Sequence, residues 1–147
     1  MSEPMYSLTE SAAPGTPHGD TLTLPYDARQ KSRLLARTDG GAQVGLFLPR
    51  GKVLRGGDLL TGPTGEVVAV RSAPEALSVV KTGDALLFAR ACYHLGNRHV
   101  ALQIAPGELR YLADPVLDGM VRGLGLDPAH ESAPFEPEAG AYHGHGH

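Results

Sequence analysis

Apolar residues in the first half of the chain come in short bursts. Leu22 and Leu24, Leu34 and Leu35, Val44-Gly45-Leu46-Phe47-Leu48, Leu59-Leu60, and Val67-Val68-Ala69-Val70 each have the length and alternation of a strand. Between them stand Asp39-Gly40-Gly41, Arg50-Gly51, Gly56-Gly57-Asp58 and Gly62-Pro63-Thr64-Gly65, compositions that force hairpins and tight turns. The pattern predicts a small all-β domain over residues 21–72. Residues 1–20 hold Pro4, Pro14, Gly15, Pro17 and Gly19 among serines and threonines. They have too few apolar groups to offset the entropy of ordering them, so a flexible N-terminal tail is expected.

After Pro74 the rhythm changes. A strand-like stretch from Glu75 to Lys81 leads into Thr82-Gly83-Asp84, where Thr82 or Asp84 suits the cap of a helix through Ala85–Tyr93, with Gly96 as its expected end. Val100, Leu102 and Ile104 then alternate up to the turn pair Pro106-Gly107, and Leu109 and Tyr111 resume the alternation, which reads as a hairpin. Asp114-Pro115 offers an N-cap followed by proline at the first helical position. Val116, Leu117, Met120, Val121 and Leu124 mark one apolar face before Gly123 and Gly125, and a last extended piece lies near Ala133–Phe135. The order β-α-β-β-α-β over residues 73–138 is that of a ferredoxin-like domain with both helices on one sheet face. The fold class is therefore α+β, with residues 139–147 left as a flexible C-terminal tail.

Composition narrows the function. The 147 residues, 41% hydrophobic and 20% charged, suffice for one or two small domains, and nineteen glycines with twelve prolines disfavour a long helical bundle. A formal charge of −3 supplies no field for nucleic acid or an anionic membrane. The opening residues lack the apolar run of a signal peptide, and nothing approaches the roughly 18 apolar residues of a membrane span, so the cytoplasm is the expected compartment. Cys92 is the one cysteine, which excludes an internal disulfide and a cysteine-only zinc site. Amid Phe88, Ala91 and Tyr93 it reads as a small buried hydrophobe rather than a ligand. No nucleophile elbow, phosphate loop or His-Glu-x-x-His helix is present, so no enzyme activity is expected.

Histidine is what composition leaves to explain. There are seven, and five fall at two places. His94 and His99 are five residues apart, which a continuous helix would set roughly 140° apart around its axis, too far to share one metal. Either the helix breaks at Gly96 and the two rings serve different places, or one ring meets its symmetry mate across a dimer axis. A third possibility is a helix-end histidine at His94 and a polar strand opener at His99. In His143-Gly144-His145-Gly146-His147, alternate imidazoles on an extended chain point to one side and the glycines let the backbone fold around an ion. Imidazole suits Ni2+, Cu2+ and Zn2+ alike, and any such binding should fade below about pH 6 as the rings take up protons. Arg29, Lys31, Arg33 and Arg37 form a basic stretch that suits either an acidic partner or a solvated strand face. Glu136 and Glu138 suit hard metal ligands or a soluble linker.

The run Tyr93-His94-Leu95-Gly96-Asn97-Arg98-His99-Val100, followed by Leu109-Arg110-Tyr111, Asp114, Val116-Leu117 and Pro134-Phe135-Glu136-Pro137-Glu138-Ala139-Gly140-Ala141-Tyr142, resembles the UreE family of urease accessory proteins, which are nickel metallochaperones. The resemblance covers roughly residues 21–147. It implies a homodimer, an N-terminal β domain likened to chaperone peptide-binding domains, and a C-terminal ferredoxin-like metal domain. It further implies that His99 binds metal at the dimer interface beside its mate from the second chain, and that His94 matches a less critical family histidine. Where some relatives carry further histidines, this chain has Leu112, Ala113 and Pro115, so no additional internal site is implied. With only three histidines, the tail residues His143, His145 and His147 are expected to assist loading rather than to store several ions. The implied function is carriage of Ni2+ to the urease apoprotein complex and its accessory GTPase, with Zn2+ or Cu2+ able to occupy the same site. A general metal buffer or metal-responsive regulator without a delivery target is the alternative.

Overall fold

A computed structural model describes residues 5–139. They divide into two compact units between Ala73 and Pro74. The content is α+β, and among the described residues no helix is long and apolar enough to cross a membrane.

The first unit contains β1 (Tyr6–Leu8), β2 (Glu10–Ser11), β3 (Asp20–Leu24), a single-turn α1 (Tyr26–Arg29), β4 (Arg33–Arg37), β5 (Gln43–Phe47), β6 (Leu59–Thr61) and β7 (Val67–Ser72). They form a three-stranded sheet β1-β5-β4 and a four-stranded sheet β2-β6-β7-β3. Both sheets contribute to one core, in which Leu8, Leu22, Val44, Leu46, Leu60 and Val68 lose all exposure. The short apolar runs separated by turns thus form the strands they suggest.

Residues 1–20 correct the expectation of a flexible tail, within the described part. β1 runs parallel to β5 in the register Tyr6↔Val44 and Leu8↔Leu46, and β2 pairs with β6. Thr9 N–H donates to the Thr61 carbonyl and Ala12 N–H to the Leu59 carbonyl, each at 2.8 Å. Full burial of Leu8, which removes about 2 kcal/mol of apolar surface from water, together with these bonds offsets the ordering entropy. The parallel partner lies far along the chain, which no local pattern reveals. Gly62 permits the approach, since a Cβ there would lie 1.9 Å from the Ser7 carbonyl oxygen.

The basic stretch also divides. Arg29 is wholly buried, its Nε donating to the Leu24 carbonyl and its Nη1 to the Leu54 carbonyl, both at 3.1 Å. It is a structural brace, while Lys31, Arg33 and Arg37 remain exposed.

The second unit contains β8 (Pro74–Lys81), α2 (Ala85–Asn97), β9 (Gln103–Ala105), β10 (Glu108–Leu112), α3 (Pro115–Gly123) and β11 (Ala129–Pro134). Its sheet order is β11-β8-β10-β9 with every neighbouring pair antiparallel, the arrangement of a ferredoxin-like domain. Val80, Leu109 and Tyr111 of the sheet share a core with Ala91 and Leu95 of α2 and Val121 of α3. Asp84 caps α2 by accepting from Leu87 N–H at 3.0 Å, and Asp114 caps α3 by accepting from Val116 N–H at 2.8 Å, with Pro115 at the first helical position. α2 continues through Gly96 to Asn97, past its expected end. After β11, Glu136 N–H donates to Gln103 Oε1 and Glu138 N–H to the Leu102 carbonyl, so the chain returns along the β9 end of the sheet.

Candidate metal centre

Why α2 stops where it does decides how His99 is presented. His99 has φ of 61°, the only positive φ at a non-glycine residue among those described. Its N–H donates to the Gly96 carbonyl at 2.9 Å, and Val100 N–H donates to the Leu95 carbonyl at 3.2 Å. These two bonds are the paired closures of a Schellman motif, with His99 at the left-handed position that glycine usually fills. Leu95 is fully buried and Val100 half-buried, and both belong to the core that accompanies the turn. Histidine there carries a steric penalty of about 1–2 kcal/mol that glycine avoids. The backbone has no need of this side chain. What it obtains is an exposed imidazole at a fixed corner of the unit.

His94 lies in the last turn of α2, half-buried, its ring 5.2 Å from that of Tyr93 in an edge-on arrangement. Because α2 ends at Asn97 and His99 lies beyond it in the left-handed turn, His94 and His99 are not ligands stacked on one helical face. Among the described residues, no group of three or more His, Cys, Asp or Glu side chains is arranged to hold an ion. His143, His145 and His147 lie outside the described residues. Cys92 is half-buried on α2, and burial pushes its thiol above the usual range, so it is protonated at neutral pH and a poor ligand there.

A second polar cluster went unrecognised in the sequence. The registers Tyr111↔Ser78 and His130↔Ser78 set three polar residues in a row across β10, β8 and β11, beneath α3. Asp118 of α3, nearly fully buried, reaches all three. Its Oδ1 accepts from Ser78 Oγ at 2.7 Å and from Tyr111 Oη at 2.6 Å, and its Oδ2 lies 2.7 Å from His130 Nε2. Burial alone would raise this carboxyl, yet hydrogen bonds from Tyr111, His130 and Ser78 outweigh it and hold Asp118 below the ordinary carboxylate range. Burial and then the Asp118 carboxylate push the Tyr111 phenol well above its usual value. The cluster pins α3 to the sheet with no buried side-chain polar atom left unpaired among the described residues. The readable signal was an acid on the buried side of an amphipathic helix, beside Leu117 and Val121.

Comparison with known proteins extends over both units. The N-terminal domain model of the UreE urease accessory protein matches residues 7–73, and the C-terminal domain model matches residues 75–147. The urease accessory protein UreE of Alkalilimnicola ehrlichii is 56% identical over 140 residues, which cover 95% of this chain and 86% of that protein. UreE of Enterobacter sp. strain 638 is 54% identical over 139 residues, 94% of this chain and 91% of that protein. UreE of Pseudomonas putida strain W619 is 60% identical over 123 residues, 83% of this chain and 76% of that protein.

Proposed function

The chain belongs to the UreE family of urease accessory proteins, and on that premise we propose that it carries Ni2+ between two His99 side chains, one from each chain of a homodimer. It is an accessory protein of urease maturation and not an enzyme. The observation that carries the reading is His99 itself, an exposed imidazole fixed at a left-handed helix end where the backbone favours glycine. One chain supplies one such ring, and a twofold axis beside it supplies the second. Leu86 and Tyr93, two turns apart on one face of α2 and 69% and 67% exposed, give that axis an apolar surface to close over.

Two imidazoles leave the remaining positions on the ion to water or to a receiving ligand, which favours release over storage. His143, His145 and His147 collect the ion and pass it to this pair, and His94 plays a lesser part at the same end of α2. The recipients are the urease apoprotein complex and its accessory GTPase, in the cytoplasm. Zn2+ and Cu2+ compete for the same ligands, because imidazole discriminates weakly among these metals.

Nickel titration by calorimetry at neutral pH, with mass measured in parallel, tests the reading on the intact chain, on His99→Ala and on a chain ending at Tyr142. The shortened chain is expected to bind one Ni2+ per dimer and His99→Ala to lose that event. Loss of all binding on truncation, with no effect of His99→Ala, would move the metal site to the tail and overturn the carrier. A nickel-binding dimer that copurifies with neither urease subunits nor the GTPase would be a buffer instead.

A further inference from the structure

The second unit keeps its charges apart. Glu75, Glu108 and Glu131 lie on its strands, and Glu136 and Glu138 follow the last of them. Asp84 and Asp114 are occupied as helix caps, and Asp118 is the buried carboxylate beneath α3. No residue within α2 is acidic, and α3 has Asp118 alone. Arg90, Arg98 and Arg122, by contrast, stand exposed on the helical side. Arg122 lies 3.8 Å from Asp127, whereas among the described residues neither Arg90 nor Arg98 has a carboxylate within ion-pair distance. The helix dipole favours a cation at the end of α2, which accounts for Arg98 but not for Arg90 in the middle of the helix.

An apolar row lies beside this charge. Arg98 reaches from the end of α2 to α3, where its Nη1 is 3.9 Å from Met120 Sδ, so Met120 marks the flank of α3 that faces α2. Val116, one turn earlier on the same flank, is 68% exposed, and Met120 is half-buried. Arg90 and Arg98 are just over two turns apart, about 12 Å along the helix axis, with His94 between them. That span is too wide for one small anion such as phosphate to bridge. Two rows of helical spacing, one basic and one apolar, therefore border the furrow between α2 and α3.

We propose that the furrow between α2 and α3 docks an amphipathic acidic helix of another protein. Its carboxylates, repeating at every fourth residue, meet Arg90 and Arg98, and an adjacent apolar row lies on Val116 and Met120. A helix is the form selected, because α2 and α3 offer no open strand edge to pair the N–H and C=O groups of an extended peptide, whereas a helix satisfies its own. Charge selects against a second copy of this layer, which would bring arginine to arginine. Among the described helices of the chain none has an exposed acidic row, since the single turn of α1 holds Asp27 alone, so the occupant is foreign. Arg98 immediately precedes His99, and the furrow thus ends beside the candidate metal centre. It uses neither His99 nor the tail histidines, so docking holds or fails independently of nickel carriage.

The probe is a blocked peptide of four Glu-Ala-Ala-Leu repeats, with a control in which lysine replaces glutamate, titrated into the full-length 15N-labelled chain at neutral pH, low salt and with EDTA present. The acidic peptide is expected to give saturable shifts centred on residues 90–98 and 116–120, and to lose affinity markedly by about 0.5 M salt. Arg90→Glu with Arg98→Glu should reverse the preference between the two peptides by about tenfold or more, and Arg90→Gln with Arg98→Gln should weaken the acidic peptide without reversing it. Val116→Ser, at an exposed position where the fold is not at risk, should weaken the acidic peptide by about threefold to tenfold and leave the charge preference intact. Absence of saturable shifts at millimolar peptide, shifts centred on the sheet or on the first unit, indifference to the charge reversal, or the same shifts from inorganic phosphate at equal concentration would each overturn the proposal.

Discussion

Replacing His99 by glycine separates its place in the helix-ending turn from the ligand role proposed for it. At φ of 61° it occupies a conformation that costs a residue with a Cβ about 1–2 kcal/mol. Glycine escapes that penalty but loses about 0.5–1 kcal/mol more backbone entropy on folding. The balance places His99→Gly between neutral and about 1.5 kcal/mol more stable than the parent, whereas His99→Ala keeps the Cβ and gains nothing. In a unit of this size, 1 kcal/mol corresponds to about 4–8 °C in Tm. With a chelator present, so that bound metal adds no stability of its own, scanning calorimetry should show the glycine variant melting at or above the parent and the alanine variant below the glycine one. Nickel titration of both variants should show the interfacial event gone. A glycine variant that melts several degrees below the alanine variant would refute the left-handed cap. A glycine variant that retains the nickel event would remove His99 from the ligand set.

Asp118→Asn should cost about 2–4 kcal/mol in urea unfolding, because Ser78, Tyr111 and His130 all lean on one buried carboxylate. Since the folded carboxyl is held below its unfolded value, its contribution is present above that unfolded value, near pH 4, and is lost as pH falls through the folded one. The parent should therefore lose stability more steeply than the variant on acidification below about pH 4, and equal slopes would contradict the cluster. Gly62→Ala would drive a Cβ against the Ser7 carbonyl and should cost at least the 1–3 kcal/mol typical of overpacking, about 1 kcal/mol or more of it in the docking of β1; an unchanged urea midpoint would disprove the close approach. Nickel affinity should fall between pH 7.5 and about pH 5.5, because only neutral imidazole binds the ion, and equal affinity at the two values would exclude histidine ligation.

What was legible in the sequence followed from local chemistry. Asp114-Pro115 marked the start of α3 because a cap and a pre-set φ act within one turn, and Pro106-Gly107 marked the β9–β10 turn for the same reason. β1 was missed because its partner β5 lies some forty residues away and pairs in parallel, so Tyr6 and Leu8 look like isolated apolar residues in a polar stretch. The stop of α2 was placed too early because Gly96 has the wrong composition for a helix but an exposed position where it is tolerated; the turn that ends the helix recruits His99, a residue no propensity scale favours there. Asp118 was hidden by the same nonlocality, since its three partners come from three strands that only the folded sheet brings together.

The candidate metal centre is less legible still, for a reason that belongs to the proposed function. A site closed within one chain announces itself by ligand spacing, because several donors must converge within the reach of one turn or hairpin. A site shared across a twofold axis needs one good donor per chain, and a single histidine carries no spacing signal at all. The trace it leaves is steric: a Cβ-bearing imidazole at a left-handed corner, held by Gly96 and Leu95 carbonyls that would serve a glycine equally well. Such a site binds through few ligands, exchanges readily and depends on dimer concentration, three properties that suit an ion in transit better than one stored. If the carrier reading holds, nickel occupancy should therefore rise with protein concentration at a fixed ratio of metal to chain, as dimers form. An occupancy independent of dilution, with monomers present by mass, would place the ion within a single chain.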